Sequence, residues 1–99
     1  MSESITPLSQ GSYTFGQWSI PARMMSGIQR YIEQGIPPGD FLMAVITNNL
    51  VEACARADDE NLEQLPAYAA FFYWEAPSAC WGSPEKQRAW TAHRGQQGL

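Results

Sequence analysis

The chain has 99 residues, 44% of them hydrophobic, and a formal net charge of -4. That is one domain's worth of sequence, able to bury a modest core without disulfide or metal staples and too apolar for wholesale disorder. The acidic balance argues against a generic nucleic-acid binder, which shows a basic face, and is too mild for a DNA mimic.

Residues 1–18 read as an irregular N-terminal arm rich in Ser, Thr, Gln and Gly. Its first ten residues are expected to fray. Tyr13-Thr14-Phe15 reads as a short extended piece, with Tyr13, Phe15 and Trp18 folding back over one end of the core. An arm that orders only on a partner is the alternative.

The first helix is expected over 21–34, with Ser19 or Ile20 at its cap and Pro21 in the tolerant first turn. Met24, Ile28, Tyr31 and Ile32 form its apolar face, and Gly35 suits the left-handed position past its end. Ile36-Pro37-Pro38-Gly39 makes a rigid turn, and Asp40 caps the next helix.

That helix, 40–57, contains the longest apolar run and is expected to be the buried centre of the fold. Leu42, Ile46, Asn49, Leu50, Ala53 and Ala57 make its core face, flanked by Phe41, Val45 and Cys54. Asn48, Glu52 and Arg56 are left as one polar stripe facing water or a partner. Asn49, as a buried amide, needs a hydrogen-bond partner on another helix or at the Pro-Pro turn.

Asp58-Asp59-Glu60-Asn61 closes this helix and opens a third, 60–75, kinked near Leu62 by Pro66. Leu62, Leu65, Ala69 and Phe72 line its inner side. The aromatic run from Phe71 cannot all face one core, because successive helical residues turn by about 100°. At least one of Tyr68, Phe71 and Trp74 is therefore expected at the surface or against a neighbour. Trp81 reads as buried in the loop that follows. Ser83-Pro84-Glu85 starts a fourth helix, 83–94, which stops at Gly95 before a flexible tail, 96–99. The fold class is thus all-α: four helices around a central buried helix, one domain over 19–95.

Chemistry-bearing patterns are sparse. Cys54 and Cys80 lack CxxC spacing; Cys54 reads as a small buried thiol, and a disulfide between the two is not required. His93, the one histidine, sits in a terminal turn, and there is no glycine-rich phosphate loop. The acidic turn at Asp58 lacks the glycine and closing Glu of a calcium loop. No catalytic, cofactor or metal site is expected, so an enzyme is not. With no charged-then-apolar leader and no apolar run of the ~18 residues a membrane span needs, the cytoplasm is the expected compartment.

The pattern Gly35-Ile36-Pro37-Pro38-Gly39-Asp40-Phe41-Leu42, with Arg56-Ala57-Asp58 and Cys80-Trp81-Gly82-Ser83, resembles a group of small phage and prophage proteins. The likeness spans Ile28 to Trp90 and brings no assigned activity; the longer leader, Met1 to Trp18, departs from it. The resemblance implies a setting in which small acidic proteins act by binding a host protein, as anti-CRISPR inhibitors do. The expected partner is a host complex, such as a CRISPR surveillance complex, with no direct nucleic-acid or membrane contact. Tyr68, Phe71 and Trp74 are the candidate anchors, with Glu52, Asp58, Asp59 and Glu60 supplying charge against a basic face. Alternatives are a protein that self-associates through the same aromatics as a homodimer, and a small nucleic-acid-handling factor.

Overall fold

The computed structural model describes residues 11–97. The expected fraying of residues 1–10 and the last two residues of the expected tail lie outside them. The chain is mostly helical with one small sheet. Among the described residues the order is β1 (Tyr13–Phe15), β2 (Trp18–Ile20), α1 (Ala22–Gln34), α2 (Asp40–Ile46), α3 (Leu50–Arg56), α4 (Asp59–Glu63), α5 (Leu65–Trp74), a 3-10 turn (Ser78–Cys80) and α6 (Pro84–Gln97).

The end of the arm is a hairpin. Tyr13 pairs with Ile20, Thr14 with Ser19 and Phe15 with Trp18. The two-residue turn puts Gly16 first at φ 59°, where a residue without Cβ costs nothing. Ile20 is fully buried, and Tyr13 meets the Phe71 ring edge-on at 5.2 Å between centroids. The hairpin is latched to the α4–α5 junction by the Ser19 N–H, which donates to Gln64 Oε1 at 2.7 Å.

α1 begins one residue after Pro21 and ends as the glycine signal predicts. Gly35 is left-handed (φ 72°) and its N–H returns to the Tyr31 carbonyl. Met25, Ile28, Tyr31 and Ile32 are buried; Met24 is only half-buried, so the apolar stripe is rotated by one residue at its start. Tyr31 is a double fastening. Its hydroxyl donates to the Cys80 carbonyl at 2.6 Å, and its own carbonyl accepts from Trp90 Nε1 at 3.0 Å, so α1 holds both the 3-10 turn and α6.

The expected central helix over 40–57 is not continuous. Asn48 is left-handed (φ 63°); its N–H donates to the Val45 carbonyl, and the Asn49 N–H donates to the Ala44 carbonyl. These two bonds are the Schellman ending of α2, with asparagine in the place glycine usually takes. Asn49 then caps α3, its side chain accepting from the Glu52 N–H at 3.1 Å. Asn49 is therefore exposed rather than a buried amide. Leu42 and Ile46 are buried as expected, but Ala53 is the one buried residue of α3, and Leu50 and Cys54 are exposed. At the other end, Gly39 rather than Asp40 occupies the cap of α2.

Asn48→Val forces a β-branched side chain into the left-handed region and is expected to lower stability by about 1–2 kcal/mol, whereas Asn48→Gly holds or raises it. Urea midpoints of the two variants check this; a neutral Asn48→Val means the break is held by something other than backbone handedness.

The third expected helix is also divided. Gln64 ends α4 and precedes α5, with Pro66 in the first turn of α5, where its missing N–H is harmless. The expected kink near Leu62 is thus a full break two residues later. Leu62 and Ala69, expected on the inner side, are exposed. α6 starts where the Ser-Pro-Glu signal places it, the Lys86 N–H donating to Ser83 Oγ, and runs two residues past Gly95. Trp81 is half-buried and Cys80 fully buried. Among the described residues six helices and a hairpin therefore replace the expected four, and the core lies where β2, α1, α2 and α5 meet.

Candidate partner-binding surface

Two features stand out on the exterior. The first is an apolar groove between α3 and α5. Because α3 leaves α2 at a left-handed residue, it turns only Ala53 inward and presents Leu50 and Val51 to solvent, 66% and 79% exposed. A cavity of about 90 Å³ opens between the two helices, lined by Val45, Leu50, Ala53, Leu65, Ala69 and Phe72 among others. On α5, Tyr73 lies one turn beyond Ala69, with Trp74 beside it; they are 68% and 69% exposed, and their rings meet edge-on at 4.8 Å.

The second is the acidic edge formed by α4. Asp58, Asp59, Glu60 and Glu63 are all exposed around Leu62, itself 46% exposed. Asp58 is occupied as a cap, accepting from the Asn61 N–H at 2.8 Å. Glu60 takes the Arg23 guanidinium, while Asp59 and Glu63 have no ion-pair partner among the described residues.

The sequence-predicted anchors separate on this surface. Tyr68 and Phe71 are completely buried and are corrected from surface anchors to core residues. The Tyr68 hydroxyl donates to Asn61 Oδ1 at 2.7 Å, and its ring meets Phe41 edge-on, so its polar end is satisfied inside the fold. Phe71 is closed in by Tyr13 of the hairpin, a contact between residues far apart in sequence. Trp74 alone of the three is exposed. Glu52 is half-exposed and its carboxylate accepts from Arg56 Nε at 2.7 Å, while Arg56 also reaches Asp40 at 3.1 Å. Glu52 is thereby drawn to α2 rather than to the acidic edge. Trp74 and α4 sit at opposite ends of the ten-residue α5, roughly 15 Å apart at 1.5 Å per residue. The aromatic and acidic groups thus form two patches rather than one. Leu50, Val51, Leu62 and Tyr73 are exposed there and were missed: an unbroken helix over 40–57 would have turned Leu50 inward, and a third helix over 60–75 would have done the same to Leu62.

The titratable groups inside the fold are held neutral. Burial pushes the Cys80 thiol up to about 11, so it is protonated at neutral pH. Burial likewise raises Tyr31 and Tyr68 above the ordinary tyrosine range, and burial with the nearby Glu75 raises Tyr13. His93 is exposed on α6, and both cysteines are free thiols. A second depression, of about 210 Å³, is lined by Asp40, Thr47, Asn49, Glu52 and Arg56 among others; its one cation is already braced by two carboxylates. Among the described residues no three His, Cys, Asp or Glu side chains converge as metal ligands do, and no helix is long and apolar enough to cross a membrane.

Comparison with protein-family models, with curated proteins and with solved structures gives no match.

Proposed function

We propose that this chain is a non-enzymatic binding protein of the phage-inhibitor kind, acting in the host cytoplasm by occupying a basic face of a host defence complex such as a CRISPR surveillance complex. The observation that carries the reading is the edge at α4. Four exposed carboxylates lie within six residues around a half-exposed leucine, and among the described residues only Glu60 has a cation of its own. Unpaired surface carboxylates contribute little to the fold, but they are complementary to the lysines and arginines with which a protein holds a phosphate backbone. Leu62 gives the edge an apolar centre, as protein interfaces have. The resemblance of residues 28–90 to small phage proteins supports the setting.

The test is competition. A purified surveillance complex binds target DNA in a filter assay with and without this protein. The wild-type chain is expected to displace the DNA, less effectively as salt rises, since exposed charges are screened beyond roughly 8 Å at physiological ionic strength. Asp59→Lys with Glu63→Lys is expected to weaken the displacement by about tenfold or more. Undiminished DNA binding in the presence of the wild-type chain rejects the reading.

A further inference from the structure

We draw no further inference here: the strongest candidate, the apolar groove between α3 and α5 lined by Leu50, Leu65, Ala69 and Phe72, carries nothing because no feature of the structure shows what covers it.

Discussion

Phe71→Ala is expected to lower stability by about 3–5 kcal/mol, the range for truncating a fully buried phenylalanine. The ring is closed in by Tyr13 on one side and by Phe72 on the other, both edge-on, at 5.2 and 5.4 Å between centroids. Each such pair contributes about 0.5–1.5 kcal/mol beyond area burial, so the cavity left by alanine also unpins the hairpin. For a chain of this size a loss of that order lowers the melting temperature by roughly 15 °C or more, and it consumes much of a typical net stability of about 5–15 kcal/mol. Trp74→Ala, three residues on and 69% exposed, is expected to change stability by no more than about 0.5 kcal/mol. Thermal melts of the two variants side by side decide whether the hairpin covers Phe71 as described. Equal melting temperatures would contradict it.

The fold is expected to fail steeply in alkali. Tyr31, Tyr68 and Cys80 are fully buried, and burial raises all three above their ordinary values of 10.0, 10.0 and 9.0. In the unfolded chain they lose their protons at those ordinary values, while the folded chain still holds them. The unfolded state therefore binds fewer protons, and stability falls as pH rises. The contribution is complete below about pH 9, begins to fall with Cys80, and falls faster above about pH 10 as both tyrosines join. Each group adds a slope of up to about 1.4 kcal/mol per pH unit while it titrates only in the unfolded chain. Urea midpoints at intervals from pH 8 to 11 are expected to be flat at first and then to drop. Tyr31→Phe with Tyr68→Phe is expected to flatten the drop while lowering stability at neutral pH, since the Cys80 carbonyl and Asn61 Oδ1 lose their donors.

Local signals in the sequence carried far, and non-local ones did not. The end of α1 at Gly35 and the start of α6 at Ser83-Pro84 rest on caps written in adjacent residues, and both sit where those residues place them. The break at Asn48-Asn49 was written there too. An asparagine that tolerates left-handed backbone is followed by one that caps, with Glu52 three residues on, but the apolar run on both sides outweighed it. Gln64 gave no comparable sign. Its side chain is engaged by Ser19, 45 residues away in sequence. A still longer separation in sequence, from Tyr13, hides Phe71. Whether an aromatic on α5 faces water depends on the hairpin reaching it, and residues 65–74 alone do not say. The candidate surface was legible in proportion. Trp74 and the acidic run at Asp58 are local readings, whereas Leu50 and Val51 come to the surface only once α3 is known to turn away.

That turn gives α3 an unusual mechanical character. It is two turns of helix with one buried residue, Ala53, tied to α2 through the Asn49 turn and the exposed Arg56–Asp40 ion pair, and so short a helix has little persistence of its own in water. One wall of the groove is thus lightly mounted while the other, α5, is rooted in the core through Phe71 and Phe72. Because α3 is formed in the chain by itself, a surface that packed there would add persistence to the helix rather than create it.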